Sequence, residues 1–269
     1  MNPFPPNHGL FTTLHAPGDV LSWRPWLSDA DWGLRSDVVF NLALQAPEDL
    51  RIKQATMTMV PYPAMYSMPV EVQLADLLYE AAHIGDEGPA MTHSMLAIDW
   101  LAMKNKSGGD LEFQRSYNTN VFGPYRQWME CPVPPDFCQG HRPATNFLTA
   151  AGGFTQTIFY GYLGLRYNDD NMTIAPALMK NATGLAFRGL SWNNTLLDIV
   201  YSATEVTISM IPSAEPLVGT TEEEGKEREE EKGLFCVFAD SSSPPRPLST
   251  SGTTISLPAT IAVARCSSS

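Results

Sequence analysis

The chain reads as an α region followed by a β region, and three observations carry that reading. Apolar residues recur at helical spacing from about residue 70 to residue 166. After Arg166 the texture turns to short, β-branched, partly alternating segments, and Asn, Asp and Gly separate them as turns do. At 269 residues there is enough chain for one large domain or two ordinary ones.

Residues 1–50 carry prolines and three tryptophans without a steady period, and stay an unassigned irregular arm. In VEVQLADLLYEAAHI, Val72, Ala75, Leu78, Tyr79 and Ala82 recur at three- and four-residue spacing, which predicts an amphipathic helix. GDEGP ends it, and Pro89 suits the first turn of the next. That second helix spans AMTHSMLAIDWLAMK, apolar at Met91, Met95, Ile98 and Met103. A third is expected across RPATNFLTAAGGFTQTIFYGYLGL. Its Gly152 and Gly153 each cost roughly 1 kcal/mol against alanine in a helix interior. Such a pair lets a neighbouring helix, a backbone or a ligand approach closely.

The β region reads as MTIAPAL, GLAFRGLSW, TLLDIVYS, EVTISM, GLFCVFAD and TTISLPATIAVAR, a small antiparallel sandwich over residues 167–269. The run EEEGKEREEEK, residues 222–232, interrupts it with seven acids against three bases and reads as a solvated loop. The helical part takes residues 51–166.

The net charge of −12 argues against a nucleic-acid partner, since phosphate binding needs clustered Lys and Arg. No apolar segment has the length of a membrane span. The first residues lack the basic start and apolar middle of a signal peptide. Four sequons, at Asn105, Asn171, Asn181 and Asn193, suit a glycoprotein of a secretory, lysosomal or vacuolar setting. The four cysteines are too few for a disulfide scaffold and wrongly spaced for zinc, although Cys131 and Cys138 could close a small loop. The histidines show no metal-ligand spacing, and nucleotide-binding and nucleophile-elbow motifs are absent; neither metal nor cofactor is expected.

What remains is GPYRQWMECPVPPDFCQG, residues 123–140, where Glu130 sits between Trp128 and Cys131. Sugar sites stack sugar faces on aromatic rings and fix hydroxyls with polar side chains, so Tyr125, Arg126 and Trp128 could form such a wall. Glycoside hydrolysis commonly uses a pair of carboxyl groups. A W-x-E triplet alone equally fits a surface acid beside a packed tryptophan.

Four stretches in order extend the reading: IKQATMTMVPYP from Ile52, GPAMTHSMLAIDW from Gly88, YRQWME from Tyr125 and NFLTAAGGFTQTIFYGYLGLR from Asn146. Over about 160 residues, roughly Lys53 to Met210, the chain resembles the C-terminal portion of glycoside hydrolase family 65, in its acid trehalase-like branch. The resemblance implies part of an (α/α)6 six-hairpin barrel followed by a β-sandwich. It also implies inverting cleavage of an α-glucosidic bond in a small carbohydrate or glycosylated hydroxylysine. Glu130 matches the water-activating base, and Lys53 and Gln54 match the pair that holds hydroxyls of the departing glucose. The prolines of CPVPPDFC, and a Cys131–Cys138 bridge, would restrain the strand carrying Glu130.

The proton-donating glutamate of the family falls on none of the acids here, Glu48 and Asp49 included, so the chain is expected to be part of a larger enzyme, inactive alone. His93 stands where the branch often has tryptophan. The preferred substrate is of the glucosyl-galactosyl-hydroxylysine type, with trehalose as alternative. A non-catalytic sugar-binding remnant, and a poorly folding pseudogene product, are the readings of another class.

Overall fold

A computed structural model describes residues 55, 57–84, 90–131, 144–211, 235–239 and 244–266. Lys53, Gln54, the arm of residues 1–50, the acidic run and Cys138 lie outside the described residues. The chain divides into two compact units, Met1–Ile158 and Phe159–Ser269.

In the first unit a 3-10 turn, Met57–Met59, precedes α1 (Val70–His83), α2 (Thr92–Ala102), α3 (Lys106–Asn118) and α4 (Leu148–Gln156). The predicted face of α1 is corrected. Leu78 is 52% exposed, and the buried row is Val72, Asp76, Leu77 and Glu80. The reason lies in Glu80: its carboxylate accepts the backbone N–H groups of Met57 (3.0 Å) and Thr58 (2.7 Å). A carboxylate with two amide donors can be buried where an apolar side chain would otherwise sit. Met57, Val60, Met68 and Val72 pack beside it.

Helix α2 is buried at Thr92, at every residue from Ser94 to Asp99, and at Leu101, so it is central rather than one-faced. Helix α3, KSGGDLEFQRSYN, has no apolar stripe and no predicted counterpart. It forms because Asn105 caps it, Oδ1 accepting the Gly108 N–H at 3.0 Å, and because Lys106 pairs with Asp110 one turn on. Gly109 earns its place against α2, since a Cβ there would lie 2.5 Å from the Leu101 side chain.

The third predicted helix begins later than expected, at Leu148, and changes after Gln156 into a π turn, Thr157–Tyr162. Its two glycines separate cleanly. A Cβ on Gly153 would meet the Ser94 Cβ at 2.9 Å, whereas one on Gly152 meets nothing within 4 Å. Gly153 therefore sets the α2–α4 approach and Gly152 does not. We expect Gly153→Ala to destabilise by about 1–3 kcal/mol through overpacking. Gly152→Ala should stabilise by up to about 1 kcal/mol. Urea denaturation of the two variants distinguishes them.

Among its described residues the second unit holds two antiparallel sheets of β3 (Arg166–Tyr167), β4 (Asn171–Ile174), β5 (Gly184–Trp192), β6 (Thr195–Ser202), β7 (Glu205–Ile211), β8 (Phe235–Phe238), β9 (Arg246–Pro247), β10 (Thr253–Ser256) and β11 (Ile261–Arg265). Their orders are β10-β7-β6-β5 and β3-β4-β11-β8-β9. Alternate residues are buried, Leu197, Ile199 and Tyr201 in one sheet and Met172, Ile174, Ile261 and Val263 in the other, which is the period-2 pattern of a half-covered sheet. Trp192 meets Phe235 edge-on at 5.2 Å, a contact from one sheet to the other. The segment predicted as one strand, TTISLPATIAVAR, splits at Pro258 into β10 and β11, which serve different sheets.

A buried hydroxyl and a covalent cross-link help hold this unit. The Tyr201 hydroxyl, its pKa pushed up by burial, donates toward the carbonyls of Tyr162 and Ala177 at 3.1 and 3.2 Å. Cys236 and Cys266 form a disulfide across 30 residues of sequence.

Candidate active site

The site segment begins where α3 ends. Strands β1 (Val121–Phe122) and β2 (Gln127–Trp128) form a small antiparallel hairpin, pairing Val121 with Trp128. Its loop needs left-handed backbone at both ends: Gly123 has φ +67° and Arg126 φ +53°. Glycine adopts that conformation freely, while for arginine it carries a cost of about 1–3 kcal/mol. The loop throws Tyr125 into solvent, 85% exposed, and Arg126 is exposed as well. Of the three wall residues read from the sequence, only Trp128 is packed. It is half-buried and its ring lies 5.5 Å from Phe154 of α4. Phe154 in turn stacks on Phe113 at 5.0 Å and meets Tyr117 edge-on at 5.7 Å.

Glu130 follows two residues on, half-buried and with its backbone fixed on both sides. Its N–H donates to the Ala144 carbonyl and its carbonyl accepts the Ala90 N–H, both at 2.9 Å. Oε2 accepts the Ala144 N–H at 3.4 Å. Asn120 completes the frame: it is buried, its carbonyl accepts the Met129 N–H at 2.8 Å, and Nδ2 donates toward the carbonyls of Met129 (3.4 Å) and Glu130 (3.3 Å). Cys131, next in sequence, is buried and disulfide-bonded. The structure thus brings Trp128 and Glu130 into one braced segment. Whether Lys53 and Gln54 join them lies outside the described residues.

A second polar group escaped the sequence reading. Glu112 on α3, its side chain 5% exposed, accepts from Arg115 at 3.0 Å, and its other oxygen lies 2.7 Å from Nδ1 of His93 on α2. His93 is therefore a helix-to-helix tie. Glu112 and Arg115 lie three residues apart on one helix, a legible signal once α3 is assigned. We expect Glu112→Ala to cost about 1–3 kcal/mol in thermal or urea unfolding, because it strips a buried polar network of its acceptor. Glu112→Gln, which keeps one oxygen, should cost less. Among the described residues no group of three His, Cys, Asp or Glu could hold a metal ion, and no helix is long and apolar enough to cross a membrane.

No protein-family model matches the chain. The protein-glucosylgalactosylhydroxylysine glucosidase of Dictyostelium discoideum is 32% identical over 160 residues, covering 60% of this chain and 21% of that protein. The acid trehalase of Emericella nidulans is 30% identical over 167 residues, covering 61% and 16%. The chain is a homologue of both. The cell wall acid trehalase of Arthroderma benhamiae is likewise 30% identical over 175 residues, covering 62% of this chain and 16% of its own. The resemblance carried by the four sequence stretches is thereby borne out. The chain spans about a fifth of the length of the curated relatives it matches.

Proposed function

We propose that the chain carries the base half of an inverting α-glucosidase site. Glu130 is the general base that takes a proton from water as it attacks the glucosyl carbon, Trp128 is the sugar platform, and Lys53 and Gln54 hold glucose hydroxyls. The observation that supports this best is the bracing of Glu130, whose peptide is tied to Ala90, Asn120 and Ala144 while its carboxylate stays half-buried rather than sealed. A base needs a fixed aim and an open path to one water. In this reading α1–α4, within residues 51–166, belong to the C-terminal part of a six-hairpin barrel, and residues 167–269 form its trailing β-sandwich. The general acid comes from a segment with no counterpart here.

The preferred substrate is a glucosyl-galactosyl-hydroxylysine unit, as in the name of the Dictyostelium relative. Trehalose is the second, supported by the two fungal relatives. The name of the Arthroderma protein and the sequons support a secretory route. A glucose-release assay on the purified chain, with both substrates side by side, tests the reading. By this reading the folded chain binds glucose in calorimetry and releases none from either substrate. Release from one would identify that substrate and put a general acid within this chain, and a folded chain that binds no glucose overturns the reading.

A further inference from the structure

Strand β5 is nine residues long and, among the described residues, forms an outer edge of the four-stranded sheet, paired only with β6. At about 3.4 Å per residue it presents some 30 Å of edge. Such an edge templates pairing with another chain unless it is bent, charged or covered. Its middle is guarded: the register shifts between Phe187 and Leu190, and Arg188 is held at 2.6 Å by Asp198, whose other oxygen accepts the Gly189 N–H at 3.0 Å. Its ends carry no charged side chain.

Two of the four sequons stand at those ends. Asn181 lies three residues before β5, exposed and at φ +65°. Asn193 follows Trp192 directly, exposed and at φ +46°, in a two-residue turn with Asn194 (φ +59°). Neither side chain makes a hydrogen bond among the described residues, so each amide points to solvent uncommitted. Asn171 differs: it lies within the five-stranded sheet paired with Ala264, and its Oδ1 accepts from Asn168 at 2.8 Å. A turn at positive φ favours asparagine on its own account, but that does not call for Thr183 and Thr195 two residues further on.

We infer that Asn181 and Asn193 carry N-linked glycans that flank β5 and shield its edge from pairing with other chains. The reaction needs a lipid-pyrophosphate-linked oligosaccharide. Nδ2 forms a bond to the anomeric carbon and loses one proton, the bond from that carbon to the pyrophosphate oxygen breaks, and the lipid pyrophosphate leaves. The inference stands apart from the glucosidase reading, because the glycans attach whether or not Glu130 acts.

The full chain, expressed through a eukaryotic secretory pathway, is treated in heavy-oxygen water with an amidase that hydrolyses the bond between Cγ and the glycosylated Nδ2, and its peptides are weighed. Both Asn181 and Asn193 should be marked as converted to Asp; an unmarked residue at either position overturns the assignment. The double variant Thr183→Val, Thr195→Val removes both sequons while leaving asparagine in the turns. It should lose both glycans and shift to associated species in sedimentation, with the circular dichroism of the parent. The same amidase treatment of the folded parent bares the edge with no change beyond Asn181 and Asn193 becoming Asp. If that bare protein sediments unchanged, the shielding role is overturned.

Discussion

If Glu130 is the general base proposed above, Glu130→Gln should lower glucose release by about 10²–10⁴-fold, the range a positioned general base contributes, once the chain is assayed with its complete site. The amide has the shape of the carboxylate but cannot take a proton from water. The peptide frame through Ala90, Asn120 and Ala144 is made by main-chain atoms and by Asn120, so the substitution leaves it in place. Glucose affinity should therefore stay within a few-fold of the parent while turnover is lost. Full turnover in this variant would remove Glu130 from the mechanism. A parallel loss of folding, seen by circular dichroism, would instead make Glu130 a structural residue.

The second large effect concerns stability. Replacing Cys236 by serine opens a loop of 30 residues, for which the chain-entropy treatment gives about 3–4 kcal/mol. Cys236 lies opposite Ala264 in the β8–β11 pair, two residues from Cys266, so the bond fastens two strands that are already neighbours. Urea midpoints of the parent and of Cys236→Ser, both under oxidising conditions, measure the difference. Equal midpoints would show that strand pairing alone holds this sheet together.

How legible all this is in the sequence varies with the physics of each part. The sheets are readable because Leu197, Ile199 and Tyr201, and likewise Met172 and Ile174, alternate between well-marked turns. Helix α3 is not, because its stability comes from a cap, an ion pair and a close approach at Gly109, none of which is an apolar stripe. The face of α1 is misread for a related reason: hydrophobic periodicity assigns every acid to solvent, and Glu80 is buried by accepting two amides from a turn more than twenty residues earlier. The Cys236–Cys266 bridge depends on register across the sheet, which spacing along the chain does not encode. At the site, the Trp128–Glu130 adjacency is plain in the sequence, while the bracing by Asn120 is a property of the fold. Tyr125 illustrates the converse, an aromatic near a carboxylate that the hairpin loop carries away into water.

Asn120 gives the site segment a clock. Because one buried residue accepts the Met129 N–H on its carbonyl and donates from Nδ2 to the Met129 and Glu130 carbonyls, the strand ahead of Glu130 cannot loosen without exposing Asn120. In hydrogen–deuterium exchange the Met129 amide should therefore lose its proton with the slow set of helix α2, not with the exposed hairpin loop between Phe122 and Gln127. If Glu130 is the base proposed above, the attacking water would then meet a carboxylate whose main chain is held in one place by Asn120.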